Sequence, residues 1–75
     1  MHKIRNEKVM ASFGRNVRRI RLEKDLTQEE LAEGAGISQV QIARIEAGRI
    51  NTSISTVVAI AKALGVGEGE LFLTI

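Results

Sequence analysis

Seventy-five residues, 44% of them hydrophobic, with a formal net charge of +2, describe one domain near the lower size limit for a core that folds unaided. Cysteine and proline are absent and Phe13 and Phe72 are the only aromatics, so disulfides, thiolate metal sites and stacking platforms for single strands or RNA have no basis. No segment approaches the roughly 18 to 20 apolar residues that cross a bilayer, and the charged start MHKIRNEK precedes no signal-type apolar run, so a cytoplasmic protein is expected.

Residues 1–6 read as a mobile N-terminal arm of a single domain, 1–75. A first helix is predicted over 7–24, with Met10, Phe13, Val17 and Ile20 at three- and four-residue spacing. Asp25 and Leu26 form the connection. Thr27-x-x-Glu30 is a capping box opening a second helix, 28–34, with Leu31, Ala32 and Ala35 on its apolar face. Gly36 supplies the left-handed residue that stops it, and Ile37 plugs the turn. Ser38-x-x-Gln41 reads as a second capping box, opening a helix over 39–47 that Gly48 ends, with Ile42 and Ile45 inward. The loop 49–52 follows. Ser53 caps a fourth helix, 54–64, whose stripe is Val57, Ile60, Ala61 and Leu64. Gly65 ends it, 68–72 reads as a short fifth helix, and Leu73, Thr74 and Ile75 form a tail. The expected fold class is all-α, five short helices around one core.

Two short helices at a steep angle bury little area themselves. The unit 27–48 therefore reads as a helix-turn-helix whose second helix is presented outward, a device commonly used to enter the major groove of DNA. Charge distribution is compatible with this. Residues 1–24 hold eight of the eleven Lys/Arg against Glu7 and Glu23, a balance of +6; residues 25–75 hold three against seven acids, a balance of −4. This asymmetry is either a solvated basic first helix or a side that meets phosphates.

The run LTQEELAEGAGISQVQIARIEAGR, followed by SISTVVAIAKALGVGEGELF, resembles the Cro/C1-type (XRE-like) helix-turn-helix family of bacterial and phage regulators. The resemblance covers about 13–72. It implies a lambda-repressor-like five-helix domain, with helices 2 and 3 as the helix-turn-helix. It also implies sequence-specific binding of double-stranded DNA as a two-fold homodimer that regulates transcription. The stand-alone form is similar to restriction-modification controllers and small phage repressors.

A helical wheel puts Val40, Ala43, Arg44 and Ala47 outward from Ile42 and Ile45, with Gln39 in the first turn. Gln39, Val40, Ala43 and Arg44 form the expected reading surface. Glutamine pairs with adenine and arginine with guanine, Val40 suits a thymine methyl, and Ala43 permits close approach. Gln41 either returns to Ser38 as a cap or touches a base, and Ser38 is a cap that can also reach phosphate. In resembling proteins the Thr27-Gln28 pair meets the DNA backbone; read from its residue type alone, Gln28 is a helix-favouring surface side chain. Arg49, Asn51 and Arg18 are candidate phosphate contacts. The loop 49–52 is less basic than in several family members, which shifts the burden to helix 1. The resemblance also implies a structural pair, Arg21 with Glu46.

Between Ile50 and Gly67 the only charge is Lys62. Val58, Ala59, Leu71, Phe72, Leu73 and Ile75 are the expected dimer interface, since a small monomer should not expose so much apolar surface. An antitoxin or other protein-interaction module that also binds its own promoter is the alternative, although little chain follows the fifth helix to mask a toxin. An enzyme is not expected, because the one histidine, His2, lies at the terminus and no catalytic cluster or phosphate loop occurs. No cofactor, metal or small-molecule effector is expected.

Overall fold

The computed structural model describes residues 5–73. Its elements are α1 (Glu7–Glu23), α2 (Gln28–Ala35), α3 (Gln39–Glu46), α4 (Ile54–Leu64) and a 3-10 helix, Glu68–Phe72. No strand occurs among the described residues, and no helix among them is long and apolar enough to cross a membrane. His2 and Ile75 lie outside the described residues.

Each α-helix starts on a side-chain oxygen. Asn6 accepts from the Val9 N–H at 3.0 Å and opens α1. Of the arm expected over 1–6, residues 1–4 lie outside the described residues, Arg5 is held by hydrogen bonds and Asn6 is a cap. Thr27 and Glu30 form the complete reciprocal box, at 3.0 and 2.9 Å. Ser38 accepts from the Gln41 N–H at 3.1 Å, and Ser53 from the Thr56 N–H at 3.2 Å. The second box is half made: among the described residues Gln41 returns no side-chain bond to Ser38, and its side chain stays exposed. Its capping role is corrected accordingly. The backbone bond at Ser38 already satisfies one orphan N–H, and solvent serves the glutamine amide as well as the Ser38 N–H would.

Gly36 and Gly65 end α2 and α4 in the left-handed region, at φ 73° in both. The turn after α1 uses Asp25 there instead, at φ 56°, a position that aspartate tolerates better than most side chains. The fifth helix is a 3-10 helix, not an α-helix. Five residues interrupted by Gly69 cannot meet the cost of an α-helical nucleus, and the Glu70 N–H bonds Gly67 O three residues back.

The stripes converge on one core: Phe13, Val17 and Ile20 of α1; Leu31 and Ala32 of α2; Ile42 and Ile45 of α3; Val57, Ile60, Ala61 and Leu64 of α4; and Leu71. Burying each large aliphatic here stabilises the fold by roughly 1.5–3 kcal/mol. Leu71 is fully buried, which corrects its assignment to a surface between copies: its side chain is part of the protomer's own core. Asn16 explains how. This wholly buried amide donates to Leu71 O at 3.0 Å and to Leu73 O at 2.7 Å, and so fastens the last turn onto α1. Two polar bonds at one buried side chain close a segment too short to close itself.

Candidate nucleic-acid interface

The link between α2 and α3 is brief: Gly36 reverses the chain, the Ile37 N–H bonds Ala32 O at 3.0 Å, and Ser38 starts the next helix. Ile42 and Ile45, at most 1% exposed, fasten the back of α3. Three- and four-residue spacing then leaves Gln39, Val40, Gln41 and Arg44 on the exposed side, with Val40 59% exposed.

A close approach and an ion network position α3. Gly14 of α1 faces the carbonyls of Ile45 and Glu46, where a Cβ would stand 2.9 Å from Glu46 O. Next to that contact Arg21 grips Glu46 with two bonds, Nε to Oε2 at 2.6 Å and Nη2 to Oε1 at 3.0 Å. Both side chains are nearly buried, 9% and 4% exposed. Arg21 Nη1 also donates to Leu26 O at 2.8 Å, which ties in the turn before α2. Gln28 Nε2 donates to Glu46 Oε1 at 3.1 Å. Thus α1, α2 and α3 meet at one carboxylate. The sequence reading gave Gln28 to phosphate and missed this bond, which no local spacing signals. Its second amide N–H is not used by that bond and can still serve an external acceptor.

Around this network lies a shallow hollow of about 270 Å³, lined by Arg18, Gln28, Ala43 and Ala47 above Arg21 and Glu46. Ala43 is half-buried in it and not fully outward. Arg18 is exposed on its rim, and Thr27 and Ser38 are exposed at the first turns of α2 and α3. The start of α3 has no acidic residue in its first turn and concentrates partial positive charge, whereas Glu29 and Glu30 offset it at the start of α2. Arg49 and Asn51 belong to a separate place, the loop beyond α3, where the Arg49 N–H bonds Arg44 O at 2.9 Å. Arg5 is there too, donating from Nη2 to Arg49 O at 3.1 Å. The sequence reading missed Arg5 because it assigned the first six residues to an arm.

The residues expected between copies fall elsewhere again. Val58, Phe72 and Leu73 are exposed at 42%, 50% and 54%, and Ala59 is half-buried. Phe72 stacks obliquely on Phe13, ring centres 5.2 Å apart, and Val9 lines the same hollows. Val9, 47% exposed, adds to this apolar surface, and Ile54, 84% exposed, lies one turn before Val58 on α4. Among the described residues no three His, Cys, Asp or Glu side chains gather into a group able to hold a metal ion.

The architecture has close counterparts. The Helix-turn-helix family model matches residues 17–71. An uncharacterized HTH-type transcriptional regulator of Sinorhizobium fredii is 45% identical over 58 residues, 77% of this chain and 75% of that protein. The crystal structure of the restriction-modification controller protein C.AhdI from Aeromonas hydrophila is similar with a TM-score of 0.83 at 33% identity, covering 84% of this chain and 96% of that one. The controller protein C.Esp1396I, solved as a tetramer in complex with its natural 35 base-pair operator, is similar with a TM-score of 0.78 at 31% identity, covering 85% and 84%. With most of its length matched by the family model, the chain belongs to the helix-turn-helix family of the Cro/C1 (XRE-like) type.

Proposed function

We propose that this protein is a cytoplasmic transcription regulator that binds a specific double-stranded DNA site as a homodimer, with α2 and α3 as its helix-turn-helix and α3 in the major groove. The observation that carries this reading is the two-sidedness of α3. Ile42, Ile45 and Glu46 hold one side against the protein, while Gln39, Val40 and Arg44 stand exposed on the other. Those three are chemically suited to base edges: Gln39 to adenine, Arg44 to guanine and Val40 to a thymine methyl. Each good bidentate pair is worth about 1–3 kcal/mol of discrimination. Gln41 joins them, since its side chain is not engaged as a cap. Ala43 allows close approach.

Thr27, Gln28, Ser38, Arg18, Arg49 and Asn51 are assigned to phosphates, where they set register without reading sequence. The likeness to a controller solved on its operator supports the same use of the fold here. Two copies related by a two-fold axis would set their α3 helices about 34 Å apart and demand a near-palindromic site.

Selection of duplexes from a random pool by the purified protein tests the reading, because it returns half-site sequence and spacing together. Enrichment of a near-palindrome is expected. A pool that enriches no duplex would sink it.

A further inference from the structure

We propose that Arg5 is a DNA-backbone contact that works with Arg49 as a two-guanidinium phosphate site at the end of α3; this rests on the duplex-binding reading above. The loop 49–52 carries one formal charge of its own, Arg49. The fold brings in a second from before α1. Arg5 Nη2 donates to the carbonyl of Arg49 at 3.1 Å, and Arg5 Nε donates to Glu7 Oε1 at 2.8 Å. A guanidinium offers five N–H donors, so these two bonds leave both on Nη1 and one on Nη2. The Arg5 side chain is 47% exposed, and Arg49 is exposed beside it.

The place suits a phosphate. Arg49 lies in the loop three residues past the end of α3, its N–H bonded to Arg44 O. With the N-terminal turn of α3 toward the bases, the chain that leaves its C-terminal end passes close to the sugar-phosphate backbone bordering the groove. Glu7 opposes the site by taking part of the Arg5 charge. Two guanidiniums against one carboxylate still leave net positive charge. The exposed Arg5–Glu7 pair is also weak enough for a phosphate to compete with it. The tether to Arg49 O has a second effect: it holds the Arg5 guanidinium where the loop is, so less side-chain freedom is lost on binding.

The test uses the full chain and the duplex enriched in the selection above. Fluorescence anisotropy across a salt series gives the slope of log K against log salt, and thermal melting is followed in parallel. Arg5→Ala and Arg49→Ala are each expected to flatten the slope by about 0.9 for every protomer bound, a loss near 0.1 M salt of about eightfold in affinity per protomer and about sixtyfold for a bound dimer. Arg5→Lys, which keeps the charge, should hold the wild-type slope. A wild-type slope in Arg5→Ala overturns the proposal even if its melting temperature falls, since that pattern marks a tether that only steadies the loop. An Arg5→Lys slope as flat as that of Arg5→Ala also overturns it. If the wild-type chain enriches no duplex, the DNA reading itself has failed and this inference falls with it, a result visible before any variant is made.

Discussion

Gly14 and Ile45 meet backbone to backbone: the Cα of a glycine in the middle of α1 lies against the carbonyl oxygen near the end of α3, with no room for a Cβ between them. An exposed mid-helix glycine costs about 1 kcal/mol relative to alanine. Here that cost is accepted for an approach that sets the distance and tilt of α3. Gly14→Ala would gain helix propensity, yet it must push two carbonyls that belong to an α-helix. We expect net destabilisation of about 1–3 kcal/mol, a fall in melting temperature of roughly 4–8 °C per kcal/mol for a domain of this size. A melting temperature equal to or above wild type would show that α3 can move away freely.

The Arg21–Glu46 pair is the second restraint on α3. Removing one partner of a buried pair leaves an uncompensated charge, about 3–5 kcal/mol in comparable cases. Glu46→Ala would strand Arg21 and also release Gln28. We expect it to lower both stability and DNA affinity, the latter by misorienting α3. Replacing both residues by apolar ones of similar size, Arg21→Met with Glu46→Leu, should recover much of the stability. Denaturant unfolding of the singles and the double separates the two effects. A Glu46→Ala protein with unchanged melting and unchanged affinity would refute the assignment.

Asn16 holds the C-terminal turn by its two amide bonds, and Ser12 Oγ adds a weaker one to Leu73 O at 3.5 Å. Asn16→Ala should cost about 1–3 kcal/mol, because buried carbonyls lose their donor. Hydrogen exchange should quicken first in the 3-10 helix, before α1 to α3 are affected. Ser12→Ala, by contrast, should be close to neutral. Uniform acceleration across the whole chain would mean that the turn is not a separate unit.

Acid should loosen α2 through Glu30. Its carboxyl is held below the ordinary 4.5, first by the Thr27 backbone N–H and then by the Thr27 side chain, against a small opposing effect of burial. A group with a lowered folded value binds its proton more readily when unfolded. Its contribution is therefore fully present above the ordinary value and is lost as pH falls through the lowered one. Comparing wild type with Glu30→Gln by melting, from neutral pH down through the carboxylate range, should show the difference between them shrinking in acid. A constant difference would place the effect of Glu30 elsewhere than in its charge.

Most features that depend on neighbours three or four residues apart are legible in the sequence, the Gln41 half of the second box being the exception. The Thr27–Glu30 box, the Gly36 and Gly65 stops, the Ser53 cap and the stripe of α4 all act within one turn of chain, so residue type and spacing specify them. The illegible ones act across the fold. Gly14 reads as a mere weak point in α1 until α3 is laid against it. Asn16 continues the stripe of Phe13, Val17 and Ile20 as a polar residue, a signal that a buried amide needs partners, but nothing local says they are Leu71 and Leu73. The burial of Leu71 is not legible because a helix of five residues, 68–72, is too short to show a period that tells inside from outside. At the candidate interface, the outward residues of α3 followed from Ile42 and Ile45, whereas the Gln28–Glu46 bond and the place of Arg5 required the packed arrangement.

Leu71 and Phe72 are neighbours with opposite fates, and that separates folding from self-association. Leu71 is fully buried, whereas Phe72 is half-exposed on Phe13, with Val9 beside it and Leu73 following. Leu71→Ala should therefore unfold the protomer, at about 2–5 kcal/mol. Phe72→Glu should leave a folded chain, since Phe13 remains held by α1 and the core, but should place a charge in the surface assigned to the second copy. Sedimentation at micromolar concentration is expected to show a dimer for the wild type and a monomer for Phe72→Glu. Affinity for a palindromic duplex should fall with it, because one protomer then binds one half-site without the other. A wild type that sediments as a monomer would refute the homodimer itself, whereas a Phe72→Glu protein that still dimerises would place the two-fold contact on the α4 part of the expected surface, at Val58, and not on Phe72.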